Sequence, residues 1–136
     1  MSGELIALIE VSTISQPMLR AYADASGDHN SIHQDEAAAK AVGLPGVIAH
    51  GMFIAGLIGE RGCNWMRSHL PQGTYEREWR SSGLQTRFRA MTFLGDTVSV
   101  GGSVKSETDL LIVLELHAKN QKGDILTTAS LSFTRR

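Results

Sequence analysis

Asp28 and His33 stand five positions apart across a Gly-Asp turn, within the run YADASGDHNSIHQDEAAA from Tyr22 to Ala39. A carboxylate and an imidazole in reach of one another can do general acid-base chemistry. Gly27 tolerates a left-handed backbone, and Asp28 and Asn30 bond back to nearby amides, so the intervening residues leave helical geometry and curl. The curl carries both side chains toward one cavity, at a spacing that suits two groups sharing one water. An aspartate in such a turn, taken alone, more often just closes an Asx turn. With His33 and the rest of the run beside it, catalysis is the preferred reading.

The elements that must position this pair follow from pattern. Leu5 to Val11 is compatible with a strand, and Ser15 followed by Pro17 makes a cap and first turn for a helix from Gln16 to about Ala25. After the Gly27 to His33 loop, Gln34 to Val42 is alanine-rich and helical in character, ended by Gly43 and Pro45. From Gly51 to Ser68, apolar residues recur on nearly all sides, which predicts a helix enclosed by other structure. Leu84 to Phe93, Thr97 to Lys105, Leu110 to Lys119 and Ile125 to Thr134 are strand-length, and Gly95-Asp96, Thr108-Asp109 and Gly123-Asp124 between them signal antiparallel hairpins. Ile112, Leu114, Leu116 and Ala118 form one face of a strand, as do Ile125, Thr127, Ala129, Leu131 and Phe133 of the next. Leu70 to Ser82 reads as an exposed excursion carrying Trp79.

Composition bounds the possibilities. The 136 residues make a single domain, long enough to bury about two-thirds of its unfolded surface. Thirteen basic and fourteen acidic residues, with no basic run beyond Arg135 and Arg136, give nothing to recruit a nucleic-acid backbone. Cys63 is the one cysteine, so no intrachain disulfide forms and a reducing compartment fits. The N-terminus carries Glu4 in place of a basic region, and the apolar stretch Val47 to Ile58 falls short of the roughly 20 residues that span a bilayer. A cytoplasmic protein without a membrane segment is therefore expected.

The Asp28 segment resembles the hydratase signature of the MaoC-like enzymes, which include R-specific enoyl-CoA hydratases and 3-hydroxyacyl-carrier-protein dehydratases. Tyr22, Ser26, Gly27, Asp28, Asn30, Ile32, His33 and Ala39 carry the likeness, while Ser31 stands where the family usually has proline. IAHGM, with His50, Gly51 and Met52, is a second matching element, and the likeness continues loosely over nearly the whole chain. The resemblance implies an α+β hotdog fold, with an antiparallel sheet wrapped around a long central helix. It also implies a homodimer and an acyl thioester of coenzyme A or of an acyl-carrier protein as substrate. Asp28 and His33 are expected to activate one water, and the backbone N–H of Gly51 to hold the thioester oxygen, aided by the helix dipole. Asn30 is expected to orient Asp28, His50 to cap the helix or orient the loop in preference to transferring protons, and Ile48, His50, Met52 and Phe53, with Phe88 and Met91, to contribute to substrate binding.

The remaining titratable residues carry weaker signals. His29 is expected in solvent, and His69 and His117 bear no motif. Asp28, His29, His33 and His50 lack a recognisable ligand spacing such as H-E-x-x-H, so neither metal nor cofactor is expected. Glu60 reads as a surface charge, although a hotdog thioesterase could use it or Asp28 to activate water against the carbonyl. A non-catalytic partner subunit of a heterodimeric dehydratase is the other alternative, and the presence of both Asp28 and His33 argues against it. Arg87 and Arg89 alternate with Thr86 and Phe88, which suits either phosphates or a solvated strand face.

Overall fold

The computed structural model describes residues 1–136. In chain order it contains β1 (Leu5–Thr13), α1 (Gln16–Ser26), a 3-10 turn (Ser31–His33), α2 (Glu36–Ala41), α3 (Gly51–His69), α4 (Thr74–Glu78), β2 (Trp79–Phe88), β3 (Thr97–Glu107), β4 (Leu111–Lys119) and β5 (Ile125–Arg135). The strands form one antiparallel sheet in the order β1-β3-β4-β5-β2. Helix α3 contacts every strand of that sheet, as expected of a central helix clasped by an antiparallel sheet.

The core lies between α3 and the inner sheet face. Ile54, Ala55, Ile58, Trp65 and Met66 come from the helix, and Ile112, Leu114, Leu116 and Ala118 alternate inward from β4. Thr127, Ala129, Leu131 and Phe133 do the same from β5, whereas Ile125 at the strand's start is 46% exposed. Close approach of helix to sheet depends on Gly62. A Cβ placed there would lie 2.4 Å from Leu131 Cδ2 and 3.1 Å from Leu116 Cδ1. Any side chain at this position obliges the Leu131 methyl to move aside or α3 to shift from the sheet.

Three expectations are corrected. The Gly95-Asp96 turn does not close a hairpin, because β2 and β3 are not neighbours. Gly95 N–H instead donates to the Ile14 carbonyl and Asp96 carboxylate accepts from Phe93 N–H, so the segment braces the end of β1. The stretch from Leu70 to Ser82 is not an exposed excursion: it holds α4 and the start of β2, and Trp79 is buried. Its charges misled the reading, since Arg67 pairs with Glu76 at 2.6 Å and Arg135 pairs with Glu78 at 2.8 Å while lying over the Trp79 ring. Finally, α3 is not enclosed all round: it meets the sheet, α4 and, through Phe53, Tyr22 of α1, and one side stays open. Met52, Gly56 and Glu60, spaced at four residues, form an exposed stripe.

Helix α4 docks through Tyr75, whose ring meets Phe133 edge-on at 5.8 Å beneath the Arg67 guanidinium. Burial, reinforced by Cys63, pushes the Tyr75 phenol up to about 12. A tyrosine in an unfolded chain titrates near about 10, so the native state holds this proton more tightly. The stability it contributes is complete below about pH 10 and is lost as pH rises toward about 12. Tyr75→Phe should make the alkaline loss of stability shallower across that window. It should also remove the phenolate absorbance step near about 12. Urea titrations at several pH values, with ultraviolet absorbance, check both.

Candidate active site

Helix α1 ends where the site begins. Gly27 adopts the left-handed conformation at φ 79°, its N–H closing on the Ala23 carbonyl, and the chain turns out of the helix. Asp28 N–H then donates to Ser26 Oγ, and Asn30 N–H donates to Asp28 Oδ1 at 3.2 Å. One carboxylate oxygen is thus held by the turn, and Oδ2 remains directed at His33. Asn30 orients Asp28 through its backbone N–H, while its side chain caps the 3-10 turn by accepting from Ile32 N–H. Ser31 is the first residue of that turn, a position that proline would also suit. The turn forms here around serine because Asn30 caps it.

His33 is 8% exposed, and its tautomer follows from its partner. Nδ1 lies 2.7 Å from the Ile48 carbonyl oxygen, which only accepts, so Nδ1 carries the proton and Nε2 presents a lone pair. Nε2 stands 4.0 Å from Asp28 Oδ2. The aspartate is half-exposed and the imidazole is enclosed, so the pair sits at a boundary between solvent and interior.

His50 packs face to face on His33, with centroids 3.8 Å apart and planes at 25°. It immediately precedes α3 but does not cap it, because its ring is turned toward the loop: Nε2 donates to the Asp28 carbonyl at 3.0 Å. Tyr22 covers His50 at 4.8 Å and Phe53 meets Tyr22 edge-on at 5.3 Å. The buried Nδ1 of His50 has no hydrogen-bond partner. Donor atoms of Asp28, His33 and His50 fall within 4.8 Å of one another, a nitrogen and carboxylate set of the kind that zinc accepts. The stacked rings face each other and do not converge on one point. With Nε2 donating to the Asp28 carbonyl, the unpartnered Nδ1 is the His50 atom left with a lone pair for a metal.

Gly51 opens α3, so its N–H has no acceptor within the helix and sits at the positive end of the dipole. A Cβ there would lie 3.1 Å from Phe88 Cε1, so only glycine lets the β2 aromatic close over this backbone without a shift. Gly51 and His33 line one cavity of about 360 Å³. Ile48, Ile54, Phe88 and Met91 supply its apolar wall, and Thr92 and Thr127 are buried polar residues within it. Met52 lies outside and is 60% exposed; Phe53 is occupied with Tyr22. Ile54, Thr92 and Thr127 were missed by motif reading. Ile54 follows Gly51 by one helical turn, and Thr127 is the sole hydroxyl in the inward set of β5, which are the signals that could have found them.

Other residues take no part in this cavity. His29 is exposed, His69 stacks on Trp65 at 4.0 Å, and Glu60 is exposed nine residues beyond Gly51, about 13 Å along the helix axis.

Replacing His50 by alanine removes the stack on His33 and the bond to the Asp28 carbonyl together. A loss of about 2 kcal/mol in unfolding free energy is expected from the cavity and the orphaned carbonyl. Chemical denaturation measures it; an unchanged midpoint would contradict the role assigned to the stack.

Comparison with known proteins follows from this geometry. A 48-residue stretch, 35% of the chain, is 50% identical to the 3-hydroxyacyl-thioester dehydratase X of Mycobacterium tuberculosis and spans 17% of that protein's length. The fold superposes on an (R)-hydratase from A. caviae involved in PHA biosynthesis with a TM-score of 0.80 at 23% identity, covering 98% of this chain and 96% of the other. R-hydratase PhaJ1 from Pseudomonas aeruginosa matches with a TM-score of 0.78 at 25% identity, over 99% of this chain and 81% of the other. The shared architecture is the hotdog fold. A family model described as the MaoC like domain matches residues 8–119, and the chain belongs to that family.

Proposed function

We propose that this protein reversibly hydrates a trans-2-enoyl thioester to the (R)-3-hydroxyacyl thioester. The observation that carries the reading is the 4.0 Å gap between Asp28 Oδ2 and His33 Nε2, beside a cavity that also contains Gly51. That gap is too wide for a direct hydrogen bond. A water at about 2.8 Å from each atom fits, subtending roughly a right angle.

The chemistry balances on one water. Its oxygen bonds the β-carbon as His33 Nε2 takes one of its protons, and the enolate that forms places negative charge on the thioester oxygen. Gly51 N–H meets that charge. The imidazolium then gives the proton to the α-carbon and the carbonyl is restored. Asp28 accepts the other O–H of the attacking water and faces the imidazolium while it exists. Delivery of hydroxyl and proton from one side of the substrate makes the addition syn. No step asks for a metal or a redox cofactor.

A thioesterase would need Glu60 or Asp28 to aim a water at the carbonyl carbon; Glu60 is exposed and distant from Gly51, and Asp28 is set against His33 Nε2, which favours the hydratase reading. The enzyme is proposed to work as a homodimer. Strand β2 is an edge whose outer backbone groups are unpaired, and it presents Leu84 at 39% and Phe88 at 51% exposure beside the cavity.

Three outcomes follow. Asp28→Asn and His33→Ala should each lower kcat for crotonyl-CoA by about a hundredfold or more, read as loss of enoyl absorbance without thiol release; full activity in either variant would sink the proton-transfer assignment. Gly51→Pro removes the N–H at the first helical position, where proline is tolerated, and His50 at ψ 134° already has a backbone compatible with a following proline. Its expected result is a loss in kcat of about a hundredfold relative to Gly51→Ala, which also crowds Phe88 but keeps the N–H, with the helix retained by circular dichroism. Light scattering at micromolar concentration should give twice the 14.7 kDa chain mass, and the mass of one chain would refute the dimer.

A further inference from the structure

The sheet face turned away from α3 carries an open trough of about 750 Å³ that the chemistry above does not use. Its floor follows from register. Arg87 of β2 pairs with Thr128 of β5, and Thr128 pairs in turn with His117 of β4, so the three form one row across the sheet. Opposite His117 on β3 is Gly101, which adds no side chain to the row and leaves it open. Lys119 lies two residues along β4 from His117 on the same face, and Ser130 two residues along β5 from Thr128.

Charge in the trough is one-sided. Arg87, Arg89 and Lys119 form no ion pair, whereas the one carboxylate, Glu115, is already engaged by Lys105 at 3.4 Å. Burial, and after it neighbouring Lys119, hold His117 below its ordinary range, so its imidazole adds a neutral polar group beside the cations Arg87, Arg89 and Lys119. Thr128 and Ser130 add hydroxyl donors. Arg89 connects this face to the reaction site, since it lines the trough and also the cavity containing His33 and Gly51.

We infer that the trough holds the phosphates of the substrate's pantetheine handle, with Arg89 at the rim and Arg87 and Lys119 beyond it. The inference rests on the hydratase reading, because it takes the thioester carbonyl to lie at Gly51. Guanidinium groups suit phosphate oxygens through paired N–H donors, and hydroxyls complete the set. The shared chemistry is a phosphate ester on pantetheine, found both in coenzyme A and on acyl-carrier proteins.

The test compares crotonyl thioesters of coenzyme A, 4′-phosphopantetheine and pantetheine on the wild type and on the Arg87→Ala/Lys119→Ala variant. The ratio of kcat/KM for the coenzyme A substrate to that for the pantetheine substrate should fall about tenfold or more in the variant. If the phosphopantetheine ratio falls equally, the trough grips the phosphate common to both handles. If only the coenzyme A ratio falls, it grips the nucleotide phosphates. An unchanged ratio overturns the inference. Should the wild type hydrate none of the three, the hydratase reading fails and the trough is judged separately, by calorimetric titration with 3′,5′-ADP. Binding that weakens about tenfold in the variant and with added salt supports a phosphate site, and absence of binding to the wild type overturns it.

Discussion

The backbone of Ile48 is the constraint on which the site depends. Its carbonyl accepts from His33 Nδ1 at 2.7 Å, and its N–H donates to the Ile32 carbonyl at 3.3 Å. Ile48 also bridges Phe93, with Ala49 N–H donating to the Thr92 carbonyl and Leu94 N–H to the Val47 carbonyl. Three chain segments distant in sequence are therefore fixed through one short extended stretch. Displacing it would release the His33 tautomer, the entry angle of α3 and the wall carrying Thr92 at once.

The two groups proposed to handle protons, Asp28 and His33, are held in different ways. His33 is locked from beneath by a carbonyl and from the side by His50, so little rotamer freedom remains to be lost when substrate binds. Asp28 is fixed through one oxygen only; its other oxygen is directed at His33, and the side chain is half-exposed. Such an arrangement leaves water an open route to the carboxylate and keeps the imidazole in a drier place. Gly51 completes the division, because its backbone donor is held by the helix itself and needs no side chain to aim it.

What was legible in the sequence was local. The Gly27 turn, the Asn30 and Ser15 caps and the alternation in β4 and β5 each depend on neighbours a few residues away, and each formed as its residues imply. What was not legible depended on pairing across the chain. Trp79 looks exposed among Glu76, Arg77, Glu78 and Arg80, yet it is buried because Arg135 and Glu78 fold their charges over it. The Gly95-Asp96 signal was real as a turn but silent about which strands it joined. For His50 the sequence left capping the helix and orienting the loop both open, since nothing local says that its ring faces Asp28 and not its own helix.

The strand order has a consequence for how the molecule comes to exist. Strands β3, β4 and β5 follow one another closely and can pair as they are made, but β2 must wait for β5, with Trp79 joined to Arg135 and Phe88 to Thr127. Phe88, which closes over Gly51, therefore has no place to settle until nearly all of this chain has been synthesised. During translation the glycine and both imidazoles precede the wall that shelters them. The nascent chain spends that interval with a long unpaired edge and exposed apolar side chains, the state in which intermolecular strand exchange is easiest.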